Sequence, residues 1–134
     1  MNKKNIRSKI LNLRKTYAYK NIQIDSEKFI SFLKTKKDNS NLIGGYYPTN
    51  CEIDDLKILH ILEKKNYRIS LPVIKKNNQM EFFKWSINDL LKINKFGIPE
   101  PVSSKILYPD ILLVPLVGYD KDLNRLGYGG GFYD

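Results

Sequence analysis

Ile111-Leu112-Leu113-Val114-Pro115, led in by Tyr108-Pro109-Asp110, is the most uniformly apolar strand-like run in the chain. A run without polar alternation offers no face to water. It therefore predicts a strand covered on both sides, central in a largely parallel sheet. Leu42 to Tyr47 is a second short apolar run, stopped by Pro48. Arg68 to Ile74 and Met80 to Trp85 are two further strands, joined by the polar turn Lys75 to Gln79. Pro72 interrupts the first of these, as suits a strand end that faces a site.

The segments between these strands read as helices and turns. Ile6, Ile10, Leu11, Leu13 and Tyr17 recur at roughly helical spacing and predict an amphipathic helix over residues 4–18. Ser26 is a plausible N-cap for a second helix, with Phe29, Ile30 and Leu33 as its apolar stripe. Asp38-Asn39-Ser40-Asn41 is a turn cluster. Asp54 or Asp55 opens a third helix, buried through Leu56, Ile58, Leu59 and Leu62. Ser86 caps a short fourth helix through Leu91, and Phe96-Gly97-Ile98-Pro99-Glu100-Pro101 is a rigid loop. The order helix, helix, strand, helix, strand, strand, helix, strand predicts a layered α/β domain, a mostly parallel sheet flanked by helices.

At 134 residues, with 42% hydrophobic and 28% charged, the chain is one domain's worth of ordinary globular sequence, which excludes disordered and collagen-like classes. No apolar run approaches bilayer-spanning length, and no apolar stretch follows the basic N-terminus, so neither a membrane span nor a secretory signal is expected. Cys51 is the single cysteine, which excludes an internal disulfide and a cysteine zinc site, and the chain reads as cytoplasmic. Lys and Arg number 23 against 14 acidic residues, a net charge of +9. The lysines spread from Lys3 to Lys121, and pairs such as Lys64-Lys65 and Lys75-Lys76 sit at element ends. Most therefore read as solvated surface. A nucleic-acid footprint and a small polyanionic ligand are the two functional readings of the excess.

Three segments carry chemistry. In Arg125-Leu126-Gly127-Tyr128-Gly129-Gly130-Gly131-Phe132-Tyr133-Asp134, glycines let backbone N–H groups close around an anion, and Arg125 adds a bidentate phosphate contact. Asp134 supplies the hard oxygen that Mg²⁺ prefers. The segment is neither G-x-x-x-x-G-K-[ST] nor G-x-G-x-x-G, because Phe132 stands where the third glycine belongs. The bland alternative is a flexible glycine turn. In Tyr47-Pro48-Thr49-Asn50-Cys51-Glu52-Ile53-Asp54, Tyr47 can stack on a heterocycle and Glu52 can accept from its donors. The alternative is that Glu52 or Asp54 only caps the following helix. Lys3 and Arg7 lie one helical turn apart and can clamp phosphates, or can be a solvated basic face. His60, the only histidine, lies off the leucine stripe with no triad partner nearby and reads as surface. Phe82, Phe83 and Trp85 read as core or pocket wall rather than as a stacking platform for nucleic acid.

Taken together these segments resemble the 5-formyltetrahydrofolate cyclo-ligase family, also called 5,10-methenyltetrahydrofolate synthetases. The resemblance runs through Lys3-x-x-Ile6-Arg7, Tyr47-Pro48, Glu52-Ile53-Asp54, Leu71-Pro72-Val73, Met80-x-Phe82 and Trp85. It continues through Gly97-Ile98-Pro99-Glu100-Pro101 and Ile111 to Pro115, and culminates in Arg125 to Asp134. Ile6 replaces a more usual Leu, and Phe132 a more usual Tyr.

The resemblance implies a ribose-5-phosphate isomerase/CoA-transferase-like fold. Residues 1–134 would be a single cyclo-ligase-like domain that stops short of the family's C-terminal part. It implies conversion of 5-formyltetrahydrofolate to 5,10-methenyltetrahydrofolate, with ATP as co-substrate and Mg²⁺ as cofactor. Lys3, Lys4, Asn5, Ile6, Arg7 and Arg125, with Leu126, Gly127, Tyr128, Gly129, Gly130, Gly131, Phe132 and Tyr133, would contact ATP. Tyr47 and Glu52, with Tyr128 through Phe132, would contact the folate. Lys3, Arg7 and Arg125 would be catalytic, and Asp134 would hold the metal. The expected partners are these small molecules, with neither nucleic acid nor membrane, in a monomer or weak homo-oligomer. The competing expectation is an inactive remnant with weak nucleotide or folate binding.

Overall fold

The computed structural model describes residues 2–17, 22–36, 41–49 and 51–134. Its helices are α1 (Lys3–Tyr17), α2 (Ser26–Lys34) and α3 (Leu56–Lys64). Its strands are β1 (Leu42–Gly44), β2 (Arg68–Ile74), β3 (Met80–Lys84), β4 (Leu91–Ile93), β5 (Pro99–Pro101), β6 (Ile111–Leu112), β7 (Gly118–Tyr119) and β8 (Arg125–Leu126). The main sheet runs β3-β2-β1-β6. β1 is parallel to both β2 and β6, and β3 is antiparallel to β2. The predicted class, a mostly parallel sheet flanked by helices, is therefore what the chain adopts.

The core explains why these residues form these elements. Ile58, Leu59 and Leu62 recur at helical spacing and are buried, while Ile43, Ile69 and Leu71 present the sheet to them. Leu33 of α2 and Trp85 join the same cluster. Leu62 is fully buried, so Leu62→Ala would cost about 2–5 kcal/mol. Pro72 is tolerated in β2 because β1 pairs only with Arg68 to Ser70, whereas Pro72 faces Phe82 of β3. The far edge of β3 is covered by the segment around Ile106: Lys84 N donates to Lys105 O, and Leu107 N to Phe82 O. Phe82, Phe83 and Trp85 are core, as expected.

Several expectations change. The apolar run at Ile111 is an edge strand among the described residues, paired with β1 alone. Uniform apolarity does not report how many strands flank the run, nor full cover of both faces: Ile111 and Leu113 pack on the core, while Leu112 lies beside Gly44 and stays 38% exposed. Ser86 starts no helix. Its N–H donates to Asp89 Oδ2 (2.9 Å) in a turn, and the alternating Leu91-Lys92-Ile93 becomes β4. The proline-rich loop supplies the partner strand, β5, so the segment is a hairpin. Asp25, not Ser26, caps α2, with its Oδ1 accepting from Lys28 N at 3.1 Å.

On α1, Leu13 and Tyr17 of the predicted stripe are about half exposed, and the helix buries no residue fully. Ala18 and the turn residues Asp38, Asn39 and Ser40 lie outside the described residues. His60 is half-buried, with its Nδ1 shut off from solvent, rather than a surface residue. Among the described residues no helix is long and apolar enough to cross a membrane.

Candidate active site

A cavity of about 500 Å³ lies where α1, the β1–α3 loop, the ends of β2 and β3, the β4–β5 hairpin and the C-terminal glycine segment converge. Lys3 and Arg7 reach it from α1, and Tyr46, Tyr47, Thr49 and Glu52 from the β1–α3 loop. All ten residues from Arg125 to Asp134 line it.

The α1 cations and the glycine segment are physically joined. Arg7 Nε donates to Gly127 O at 2.7 Å, and among the described residues its other guanidinium donors have no partner. Gly129 holds φ +96°, and a Cβ there would lie 3.4 Å from the Arg7 guanidinium carbon. The positive φ therefore calls for glycine, while a Cβ would meet Arg7 only at ordinary contact distance. Arg125 folds back over Gly127, where a Cβ would come within 2.8 Å of its guanidinium. Its Nε donates to Pro115 O (3.2 Å), its Nη1 lies 3.6 Å from Asp134 Oδ1, and the group sits 5.6 Å from the Tyr133 ring centroid. Two guanidinium groups beside a glycine-rich backbone are the chemistry that can hold an anion at this end.

The β1–α3 loop is ordered by its own hydrogen bonds. Glu52 N donates to Thr49 O (2.9 Å), and Thr49 Oγ1 donates to Glu52 Oε1 (3.0 Å). Burial pushes the Glu52 carboxyl above the usual range, while the Thr49 hydrogen bonds and the Arg14 charge pull it down. Arg14 Nη1 also lies 3.5 Å from the Tyr128 hydroxyl, whose pKa is raised by burial and then by Glu52. The Tyr46 hydroxyl donates to Ile53 O (2.6 Å), and Tyr46 N donates to Oδ2 of the fully buried Asp55 (2.9 Å). Burial pushes Asp55 up to about 7. It raises the Tyr46 and Tyr133 phenols as well.

The hairpin adds an apolar wall. Phe96, Gly97 and Ile98 face the cavity together with Pro72, Ile74 and Met80. Phe96 meets Phe132 edge-on, with centroids 5.9 Å apart at 71°.

Lys3, Arg7, Tyr47, Glu52 and Arg125 to Asp134 are thus brought together. Lys4, Asn5 and Ile6 share α1 but do not line the cavity; Lys4 and Asn5 point to solvent. Asp55 is the N-cap of α3 but its side chain makes no cap hydrogen bond; Asp54, just before it, accepts from Leu56 N through its Oδ1 at 2.8 Å, so the helix-start and cavity-facing readings divide between Asp54 and Glu52. Asn50 lies outside the described residues, and Cys51 is exposed on the adjoining turn with φ +62°. Sequence reasoning missed Tyr46, Thr49, Asn94 and the hairpin wall. The period-2 face shared by Pro72 and Ile74 was a usable signal for part of that wall. Among the described residues no three His, Cys, Asp or Glu side chains gather as a metal cage. A lone carboxylate such as Asp134 suits an ion that arrives on phosphate oxygens and keeps its waters.

Comparison with known proteins adds independent support. The family profile described as "5-formyltetrahydrofolate cyclo-ligase family" matches residues 1–134. A 5-formyltetrahydrofolate cyclo-ligase of Haemophilus influenzae is 36% identical over 99 residues, 69% of this chain and 53% of the relative. The enzyme of that name from Escherichia coli K12 is 32% identical over 90 residues, 62% of this chain and 50% of the relative. The NMR structure of Aquifex aeolicus 5,10-methenyltetrahydrofolate synthetase superposes with a TM-score of 0.72 at 29% identity, covering 100% of this chain and 71% of that one. A Mycoplasma pneumoniae 5,10-methenyltetrahydrofolate synthetase gives 0.66 at 25% identity, covering 99% and 75%. The chain spans about half the length of the Haemophilus and Escherichia relatives. With residues 1–134 all matched by the family profile and the glycine segment, the α1 cations and Glu52 around one cavity, the chain belongs to the 5-formyltetrahydrofolate cyclo-ligase family.

Proposed function

We propose that the protein converts 5-formyltetrahydrofolate to 5,10-methenyltetrahydrofolate at the expense of ATP, in the cytoplasm. The observation that supports this most is the Arg7–Gly127 hydrogen bond in a member of this family, because it joins the α1 cations to the glycine segment on a cavity that Tyr47 and Glu52 also line. Lys3, Arg7 and Arg125, with the backbone of Gly127 to Gly131, take the triphosphate. Tyr47 stacks on the pterin and Glu52 accepts from its N–H donors, with Tyr128 to Phe132 between the two ligands.

The chemistry suits those parts. The N5-formyl group is an amide and a poor electrophile. Its oxygen attacks the γ-phosphorus, the bond to the β–γ bridging oxygen breaks, and ADP leaves. The formyl carbon now carries a phosphate leaving group and a C=N⁺ bond to N5. N10 adds to that carbon, loses its proton, and inorganic phosphate departs as the methenyl bridge forms. Each step needs positioning and stabilisation of phosphoryl charge, and none needs a protein nucleophile. Arg7 and Arg125 stabilise the charge spread over the transferring oxygens, and Lys3 adds a point charge. Asp134 would hold Mg²⁺, which would supply further neutralisation of the phosphate charge.

The test is direct. Purified protein with ATP, Mg²⁺ and 5-formyltetrahydrofolate should develop the methenyl chromophore. Folded protein that binds folate by calorimetry but forms no product supports the remnant instead.

A further inference from the structure

The half-buried Asn94 and the buried Glu100 form a pair that the ring-closing chemistry does not use. Glu100 is 4% exposed, yet it is an acid on a hairpin strand. Burying such a group is costly unless its hydrogen bonds are made. Its Oε2 accepts from Ile74 N at 2.8 Å and from Asn94 Nδ2 at 2.9 Å. Asn94 Oδ1 then accepts from Phe96 N (2.9 Å) and Ile98 N (3.0 Å). The backbone closes the same turn, with Asn94 N donating to Ile98 O and Gly97 N to Asn94 O, both at 3.0 Å. One connected network therefore ties the end of β2 to the tip of the β4–β5 hairpin.

That tip touches the glycine segment. Phe96 is 49% exposed, and the contact its ring makes with Phe132 spans the hairpin and the loop. Lys95 lies over the outer ring, 5.1 Å from its centroid, and does not line the cavity. The wall so formed is apolar, which suits a ring system and not a triphosphate. A folate brings two ring systems, pterin and aminobenzoyl, against the single adenine of ATP.

We propose that Asn94 and Glu100 are positioning residues for the folate. They hold the hairpin so that Phe96 seats on Phe132 and the Asn94–Ile98 turn forms the wall on which the folate's aromatic part rests. This depends on the assignment of the cavity to folate and ATP made above.

The experiment measures KM separately for 5-formyltetrahydrofolate and ATP in Asn94→Ala and Phe96→Ala, with amide hydrogen exchange of the hairpin. Loss of the Asn94 network should raise the folate KM about tenfold and leave the ATP KM within about twofold. It should also speed exchange at the Phe96 and Ile98 amides, which a remote structural defect would not single out. Phe96→Ala should raise the folate KM similarly with the turn still protected. It changes a half-exposed tip, so it carries the test if Asn94→Ala does not fold. An unchanged folate KM in Phe96→Ala, or equal rises for both substrates, overturns the role. A wild-type protein that neither binds nor turns over folate fails at the cavity assignment itself. Normal wild-type turnover with unaffected variants removes only the role of the hairpin.

Discussion

Arg7 Nε lies 2.7 Å from the carbonyl oxygen of Gly127, a hydrogen bond across 120 residues of sequence that fastens the first helix to the glycine segment. It uses one guanidinium donor, and the rest of the group lies beside Gly129. Arg7→Ala should therefore lower kcat/KM for ATP by about 100-fold or more, the scale of losing one preorganised charge-stabilising donor. Arg7→Lys keeps the charge but not the fork, and should recover only part of that loss in the same steady-state assay.

Arg125 is held in place by Pro115 O, Asp134 and the open face of Gly127. Arg125→Ala should cut turnover by about 100-fold. Lys64→Ala, at the exposed end of α3, should change it by less than about twofold, because a solvated surface charge contributes little. Equal effects from the two substitutions would remove Arg125 from the site.

In the proposed role Glu52 takes the pterin's N–H donors on both carboxylate oxygens, which it does best when ionised, and burial raises its pKa. A raised pKa means the carboxylate is lost at a higher pH than the ordinary value of about 4.3. Folate KM should thus climb as pH falls, beginning above that value, while ATP KM does not follow. Glu52→Gln should show a weaker but flat profile. A pH-independent wild-type KM down to about pH 4.5 would contradict the role of Glu52.

Much of this site was legible as sequence because its chemistry sits in short contiguous runs. Gly127 to Gly131 advertise close backbone approach, and Lys3 and Arg7 advertise one helix face. The core stripe Ile58, Leu59 and Leu62 was legible for the same local reason. The hairpin was not. Pro99 and Pro101 read as loop, and only pairing with Leu91 and Ile93 makes them a strand. Nor could periodicity separate Asp54 from Asp55: the exposed Asp54 accepts from Leu56 N at the start of α3, while Asp55, at the N-cap position, is fully buried and accepts from Tyr46 N. The edge position of β6 is equally nonlocal, since it depends on which strands β1 accepts.

Asp55 links the site wall to stability. Its folded pKa of about 7 lies above the unfolded value of 3.8, so the native state binds its proton more tightly. Stability then falls as pH rises from about 4 to about 7 and levels off above that, a cost of a few kcal/mol at most. Asp55→Asn keeps an acceptor for Tyr46 N and removes the charge. It should flatten that slope and stabilise the protein at pH 8 by about 1–3 kcal/mol in urea titrations. Destabilisation at pH 8 would mean the ionised carboxylate is favoured there.

In the proposed reaction one cavity transfers the γ-phosphoryl group of ATP onto the formyl oxygen of a bound folate. The most direct measurement supplies 5-formyltetrahydrofolate labelled with ¹⁸O in the formyl group, with ATP and Mg²⁺, and follows both products. The expected result is the methenyl chromophore together with inorganic phosphate that carries the label. Methenyl product with unlabelled phosphate, or no product from folded protein, would contradict it.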